Sequence, residues 1–150
     1  MNPNILVVED DQVFVLLIQN YLSKNSYRFD HESTFAGALK RLGQNVYEAI
    51  LLDLVLPDSF GLEVIRGIME LCQTTPIIVI TGIEDYNLAS EAIKIGVEDC
   101  LFKTNSLFSG HILDGIIKNS ITRFERHKRM TQEFNKLKSL ANIIETKMNC

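Results

Sequence analysis

Short apolar runs alternate with amphipathic stretches along most of this chain, and several of the runs end in an acidic residue. The clearest lies within residues 47–61, Y-E-A-I-L-L-D-L-V-L-P-D-S-F-G, where four apolar residues lead into Asp53 and a turn with Pro57 and Gly61 follows. A short apolar run bounded by turn residues is typical of a strand that is buried on both faces, as in a parallel sheet. Ligands of open α/β sheets bind outside the carboxyl ends of the strands, so Asp53 is predicted to stand at the mouth of a site.

Five strands and five helices are predicted from the hydrophobic periodicity. The strands cover residues 4–9, 27–32, 49–52, 77–81 and 97–103. The helices run over 11–24, from Ser33 or Thr34 to Leu42, from Ser59 or its neighbours to the break at Thr75-Pro76, from Glu84 and Asp85 to Gly96, and from about Ser106 to the end. This alternation predicts a doubly wound α/β domain with a five-stranded parallel sheet, helices on both faces and an extended C-terminal helix.

Charge and composition exclude several classes of protein. Residues 1–118 carry 8 basic against 16 acidic side chains, while residues 119–150 carry 7 against 3, so an acidic body precedes a basic tail. The acidic body argues against general nucleic-acid binding, whereas the basic tail leaves a weak case for it. A solvated helix face is the preferred interpretation of the tail. No apolar stretch approaches the ~20 residues of a membrane span, and no basic segment precedes the first apolar run, so we expect a cytoplasmic protein. Cys72, Cys100 and Cys150 are widely spaced, and we expect free thiols.

The predicted strand ends bring five side chains to one edge of the sheet. They are Glu9 and Asp10 after the first strand, Asp53 after the third, Thr81 at the end of the fourth and Lys103 after the fifth. Clustered carboxylates repel one another unless a cation lies among them, and an all-oxygen site with open positions suits Mg²⁺. Asp53 would then attack phosphorus and become an aspartyl phosphate. Lys103 and the metal would neutralise phosphoryl oxygens, and Thr81 would donate a hydrogen bond to one of them. Asp11 is interpreted as a helix-start carboxylate and Asp58 as a turn carboxylate, and neither is expected to be a metal ligand.

These stretches resemble the receiver domain of response regulators in two-component signalling, over roughly residues 3–120. The matching motifs are I-L-V-V-E-D-D, L-L-D-L-V-L-P-D-S-F-G-L-E, P-I-I-V-I-T-G and I-K-I-G-V-E-D-C-L-F-K. The resemblance implies the flavodoxin-like strand order 2-1-3-4-5. It also implies that Asp53 accepts a phosphoryl group from a histidine kinase or a phosphotransfer protein. The implied metal ligands are one or both of Glu9 and Asp10, together with Asp53 and the backbone carbonyl of Val55.

Two positions depart from the family pattern. Cys100 stands three residues before Lys103, where the family often has a Tyr or Phe that reports the conformational state. Thr104 replaces the Pro that commonly follows the lysine, and a cis peptide bond there would cost ~2.5–4 kcal/mol without a proline. A switch based on rotation of an aromatic ring beside Thr81 is therefore not expected. Val55 and Ile83 flank the predicted site and are apolar, which would restrict attacking water.

The helical pattern continues past the point where a receiver needs to end, near residue 120. Apolar residues separated by 4, 3, 4, 3 and 4 positions form a heptad seam, made of Met130, Phe134, Leu137, Ala141, Ile144 and Met148. The phase of this seam breaks against the earlier stripe of Ile117, Ile121 and Phe124, at the basic cluster 126–129. We expect a receiver over residues 1–120, then a coiled-coil-like linker or tail over 121–150 that forms a parallel homodimer. The alternative is a tail that folds back on its own domain.

The output of such a receiver is left open by the sequence. The 55–63 loop, the D-C-L-F-K-T strand and the long basic helix are similar to receivers placed ahead of sensory, histidine-kinase or diguanylate-cyclase domains. Either an effector domain lies outside these 150 residues, or the tail itself is the output. No helix-turn-helix pattern follows residue 120. Two other functions are possible. The first is a pseudo-receiver that acts only as a dimerisation module, but such a module would not need the full set of acidic residues, threonine and lysine. The second is a Mg²⁺-dependent phosphatase, but Val55, two residues after Asp53, leaves no second acid there to serve as general acid/base.

Overall fold

The computed structural model describes residues 2–82 and 84–149. Its strands are β1 (Asn4–Val8), β2 (Arg28–Glu32), β3 (Ala49–Leu52), β4 (Val55–Leu56), β5 (Ser59–Phe60), β6 (Ile77–Thr81) and β7 (Asp99–Phe102). Its helices are α1 (Gln12–Lys24), α2 (Phe35–Leu42), α3 (Leu62–Leu71), α4 (Tyr86–Ile95) and α5 (Ile112–Met148), and a 3₁₀ helix covers Asn105–Phe108. Ile83 and Cys150, for which the sequence suggested a water-restricting side chain and a free thiol, lie outside the described residues.

The five long strands form one parallel sheet in the order β2-β1-β3-β6-β7. This order is the predicted 2-1-3-4-5 when the short β4–β5 hairpin is left out of the numbering, so the doubly wound fold class is confirmed. Helices α2, α3 and α4 pack on one face of the sheet, and α1 and α5 pack on the other. Both faces of β1, β3 and β6 are therefore covered, which explains why these strands read as continuous apolar runs.

Side chains ahead of three helices define where those helices begin. Asp11 accepts hydrogen bonds from the amides of Val13 and Phe14, Thr34 accepts one from Gly37, and Asp85 accepts two from the first turn of α4. These side chains satisfy amide groups that a helix start leaves without partners. Asp11 is thus confirmed as a helix-start carboxylate, and Thr34 rather than Ser33 caps α2.

The start of α3 was predicted too early. Ser59 pairs with Leu56 in the β4–β5 hairpin, and α3 begins only at Leu62 after Gly61, whose φ is 71°. A positive φ favours glycine, so Gly61 ends the hairpin where any side chain would be strained. The last strand is also shorter than predicted, because Val97 and Glu98 form its approach and Lys103 lies just beyond it.

Helix α5 extends without a break from the sheet into the tail. Leu113 and Ile117 are buried against the sheet, whereas every residue from 125 to 149 is exposed. The described tail does not fold back on the body, and the predicted change of phase at residues 126–129 occurs within one continuous helix. None of the helices in the described ranges combines the length and apolar character that crossing a bilayer demands.

Candidate functional site

Three carboxylates meet at the carboxyl edge of the sheet because β1 and β3 are neighbours. Val8 pairs with Leu52 in the sheet register, so Glu9 and Asp53, the residues that follow them, lie side by side. Glu9 is 2% exposed and Asp53 is 4% exposed, while Asp10 is open to solvent. One oxygen from each of the three carboxylates lies within 4.8 Å of the others. The structure thus brings together the acidic residues that were predicted from the strand ends.

Lys103 bridges the two buried carboxylates. Its Nζ donates to Glu9 Oε1 at 2.8 Å and to Asp53 Oδ2 at 3.1 Å. The backbone amide of Lys103, just after β7, donates to the carbonyl of Thr81 at 2.9 Å, which places the start of this long side chain beside the end of β6. The lysine predicted at the end of the last strand therefore lies in direct contact with the predicted phosphoacceptor.

The electrostatics of this cluster reflect the removal of charge from water. Burial raises the pKa of Glu9 to about 7 from an ordinary value of 4.5, against the hydrogen bond from Lys103, and the nearby charge of Asp53 raises it further. Burial also works to lower the pKa of Lys103, but the hydrogen bond to Glu9 and the charge of Asp53 outweigh it, so this pKa is raised. Two buried acids beside one cation leave an excess of negative charge, which favours binding of a further cation.

The remaining predicted site residues lie on the elements beside Asp53. Thr81 is 1% exposed at the end of β6. The amide of Val55 donates to Asp53 Oδ1 at 3.2 Å, which orients the carboxylate from the loop that follows it. The proposed role of the Val55 carbonyl as a metal ligand stays a prediction, as do the roles of the individual site residues.

Asp58 has a structural role, in agreement with its interpretation as a turn carboxylate. Its two carboxylate oxygens accept hydrogen bonds from the amides of Phe35 and Ala36 at 2.8 and 3.0 Å, at the start of α2. These two bonds lower the pKa of Asp58. The loop after Asp53 is therefore fastened to the neighbouring helix.

The site contains two contacts that the sequence analysis missed. The Lys103 ammonium lies over the ring of Phe14, 4.8 Å from its centroid, and the His31 ring nitrogen Nε2 lies 2.7 Å from the carbonyl of Glu9. The helical stripe of α1 indicates that Phe14 faces the core, but no spacing in the sequence indicates which charged group it meets there. Long-range contacts of this kind become visible only in three dimensions.

Cys100 and Thr104, the two positions that depart from the family pattern, lie on either side of Phe102 and Lys103. Cys100 is half-buried against the α4 side of the core, and burial raises the pKa of its thiol, which agrees with an inert side chain. Phe102, two residues further on, is the register partner of Thr81 and packs edge-on against Tyr86 at 5.5 Å. The bond between Lys103 and Thr104 is trans, like every other peptide bond in the described residues.

The chemistry of the donor set fits magnesium. All three side-chain donors are carboxylate oxygens, two are fixed by burial, and the exposed Asp10 leaves one side open to water and to a substrate oxygen. Mg²⁺ prefers oxygen ligands and usually keeps several waters in such sites. Glu9, Asp10 and Asp53 are the residues that would hold it.

Comparison with known proteins agrees with this geometry. The response regulator ArlR of Staphylococcus saprophyticus is 38% identical over 99 residues, which cover 66% of this chain and 44% of that protein. The solution structure of the beryllofluoride-activated NtrC4 receiver domain dimer is 29% identical, with a TM-score of 0.72, and covers 81% of this chain and 98% of that one. A CheY-like receiver domain protein from Methanospirillum hungatei, at 21% identity and a TM-score of 0.74 over 85% of this chain and 99% of that one, shares the fold.

The chain spans less than half the length of the curated relative ArlR, so this agreement concerns one domain. The family model of the response regulator receiver domain matches residues 5–109, which include the three carboxylates, Thr81 and Lys103. More than half of the chain lies within that match. The chain therefore belongs to the response regulator receiver domain family of two-component signalling.

Proposed function

We propose that this receiver accepts a phosphoryl group on Asp53 from a histidine kinase or a phosphotransfer protein. The observation that carries the proposal is the placement of the Lys103 ammonium between Glu9 and Asp53, with Asp10 in the same cluster. A scaffold that only dimerised would have no need for two buried acids paired with one partly buried cation, since buried charges cost free energy unless they are well paired.

Asp53 supplies the nucleophilic oxygen. The bond from this oxygen to phosphorus forms while the bond from phosphorus to the leaving atom of the donor breaks, and the leaving group keeps the electron pair and takes up a proton. Lys103 lies 3.1 Å from Asp53 and is in place to neutralise an oxygen of the arriving group. Thr81, at the end of the neighbouring strand, would donate a hydrogen bond to another oxygen. A magnesium ion held by Glu9, Asp10 and Asp53 would supply positive charge beside the phosphoryl oxygens.

The proposed phosphorylation is tested by intact mass after incubation with acetyl phosphate and Mg²⁺. The wild-type chain is expected to gain the mass of one phosphoryl group, and Asp53→Asn is expected to gain none. Asp58→Asn is a matched control, because Asp58 lies on the same loop but binds the start of α2 instead of the cluster. A gain in Asp53→Asn equal to that of the wild type would overturn the assignment of the acceptor.

We further propose that the tail of α5 forms a parallel homodimer. Five large residues of the heptad seam are between 58% and 79% exposed; they are Met130, Phe134, Leu137, Ile144 and Met148. An exposed apolar stripe of this extent on a single helix is stabilised when it packs against another helix. Glu133 and Lys138 flank the seam at the g and e positions, where opposite charges attract across a parallel pair.

The direction of the seam supports a second copy as its partner. Phe124, half-buried, belongs to the stripe that packs on the body, and Met130 begins the seam six residues later. At about 100° per residue, the two stripes face directions that differ by roughly 120°. The seam thus points away from the surface on which α5 packs, and the body leaves it accessible. The NtrC4 receiver is itself described as a dimer.

The domain boundaries, the neighbouring domains and the location of the protein are also proposals. These are a receiver over residues 1–120 with a linker or tail over 121–150, a place ahead of a sensory, kinase or cyclase domain, a cytoplasmic location and the lack of nucleic-acid binding. In this proposal the phosphorylated state shifts the population of two conformations and so controls a downstream domain or partner. The receiver acts as a signalling module that promotes its own phosphorylation and dephosphorylation.

A further inference from the structure

The long side chain of Lys103 needs support beyond its two carboxylates. It starts at the end of β7 and must reach across the end of β6 to Glu9 and Asp53, and a lysine stem has many conformations to lose. An ammonium has three N–H donors, of which two are accounted for by the carboxylates. A further contact can therefore restrict the position of the ammonium.

The ring of Phe14 provides such a contact. Lys103 Nζ lies over the ring at 4.8 Å from the centroid, well within the ~6 Å range of a cation–π interaction. The negative face of an aromatic ring attracts a cation without adding another carboxylate. It therefore supports the ammonium and adds no full negative charge to repel an arriving phosphoryl group.

Phe14 is itself held by direct contacts from two segments, and the second of these is held in turn by its own neighbours. Its amide donates to Asp11 Oδ1 at the start of α1, and its ring packs edge-on against Phe108 of the 3₁₀ helix at 5.5 Å. Phe108 in turn packs against Tyr21 at 5.8 Å. The Tyr21 hydroxyl donates to the carbonyl of Gly110 and accepts from the amide of Asp114 in the first turn of α5. At 8% exposure, with neighbours fixed in this way, the Phe14 ring has little freedom to move away from Lys103.

We propose that Phe14 is a positioning residue of the phosphoacceptor site, whose ring face holds the Lys103 ammonium beside Asp53. It acts through Lys103 and does not touch the phosphoryl group. The effect on phosphorylation rests on the proposed function above, whereas the placement of Lys103 does not. An aliphatic residue at position 14 would fill the same space but would offer no negative face, so shape and electrostatics can be separated.

The test replaces Phe14 in the full chain with mono-, di- and trifluorinated phenylalanine, which weaken the negative ring face in steps and nearly preserve its shape. The first readout is the NMR shift of the Lys103 ε-protons without metal or phosphodonor, which the ring current is expected to move upfield in the wild type and not in Phe14→Leu. The second is the rate of phosphorylation by acetyl phosphate, followed by intact mass. We expect the rate to fall stepwise, by roughly fivefold across the series.

Two controls separate positioning from packing. The same fluorinated residues at Phe108 change a ring that contacts Phe14, and should leave the rate unchanged. Phe14→Tyr keeps the ring face and should retain most of the rate, whereas Phe14→Leu should lose as much as the trifluorinated variant. Urea unfolding of each variant shows whether a loss of rate merely follows a loss of fold.

The outcomes distinguish this inference from the function on which it partly rests. Unshifted Lys103 ε-protons in the wild type, or a rate that is constant across the Phe14 series, would overturn the role of Phe14. An equal loss of rate in the Phe108 series would do the same. A wild-type chain that gains no phosphoryl mass contradicts the proposed function, and the NMR shift still decides whether Phe14 holds Lys103.

Discussion

At the carboxyl edge of the sheet, buried charges contact one another, whereas along residues 130–148 of α5 apolar side chains stand in solvent. Glu9 and Asp53 are almost fully buried and share the Lys103 ammonium, while the five large seam residues are more than half exposed. The first region has costly charges that are paired within the chain. The second has apolar area that the chain does not cover. The difference implies that the edge responds to changes in charge and the tail responds to the presence of a partner.

The largest effect is expected where a buried charge loses its partner. Lys103→Met leaves Glu9 and Asp53 without their shared cation, and we expect a loss of about 4 kcal/mol in the free energy of unfolding at neutral pH. Urea denaturation in metal-free buffer measures it. Lys94→Met is the control, because Lys94 pairs with Glu91 on an exposed face of α4, and its loss is expected to cost less than about 0.5 kcal/mol. An equal loss of unfolding free energy in the two variants would show that Lys103 stabilises the chain no more than an exposed lysine does.

Substitutions in the tail seam should have the opposite effect: they should weaken the association of two chains strongly and leave the stability of the body unchanged. Phe134→Ser together with Leu137→Ser removes two adjacent layers of the seam, and we expect the dimer to weaken by at least about 100-fold. Sedimentation equilibrium of the full chain measures this. Lys136→Ser, which lies off the seam, should leave the dimer intact. A full chain that stays monomeric at every concentration tested would refute the homodimer.

The sequence predicted the long C-terminal helix and the acidic edge well because both depend on local patterns. Strand ends and heptad spacing are periodic features, and the caps at Asp11 and Asp85 lie beside the helices they start. The contacts between distant segments were not predictable in this way. The Tyr27 hydroxyl donates to Asp114 Oδ1 at 2.6 Å, 87 residues away in the chain, and no local pattern connects the two.

The β4–β5 hairpin was missed for a related reason. Pro57 and Gly61 mark a turn, and the sequence alone does not show whether the residues after it pair with the strand behind them or begin the next helix. The contact between the Phe14 ring and Lys103 was missed for the same reason, since an apolar stripe indicates that a residue is buried but not which residue it contacts.

The pH dependence of stability should reveal the buried Glu9. Its pKa is raised by burial to about 7 in the folded chain, from 4.5, so between these values the folded state binds a proton that the unfolded state has released. The resulting stability is fully present below the unfolded pKa and is lost as the pH rises through the folded pKa. In metal-free buffer, the free energy of unfolding should therefore fall by about 2 kcal/mol between roughly pH 5.5 and 8.

Glu9→Gln isolates this effect, because glutamine keeps the size of the side chain and does not titrate. The slope of stability against pH should flatten in this variant, and urea midpoints across the pH range measure it. Glu91→Gln, on the exposed face of α4, should keep the wild-type slope. An unchanged slope in Glu9→Gln would assign the pH dependence to other groups.

The smallest expected effect concerns the boundary between the two regions. Arg123 joins α5 to the end of the sheet: it donates to the carbonyl of Glu98 at 3.1 Å and lies near the carboxylates of Glu98 and Asp99. Its side chain is 42% exposed, which limits the strength of these pairs. Arg123→Gln should lower the stability of the body by about 1 kcal/mol and leave the dimer unchanged.

Arg126→Gln is the matched control, one turn further along the same helix, where the described residues offer Arg126 no ion pair. It should change neither the urea midpoint nor the dimer. If Arg123→Gln is as silent as Arg126→Gln, the body ends near residue 120, as the sequence predicted. If Arg123→Gln destabilises the body alone, the body extends to the contacts of Arg123 and the independent tail begins only after them. An effect of Arg123→Gln on the dimer as well would mean that body and tail are coupled through this junction, and the contrast between the two regions would then be weaker than their contacts indicate.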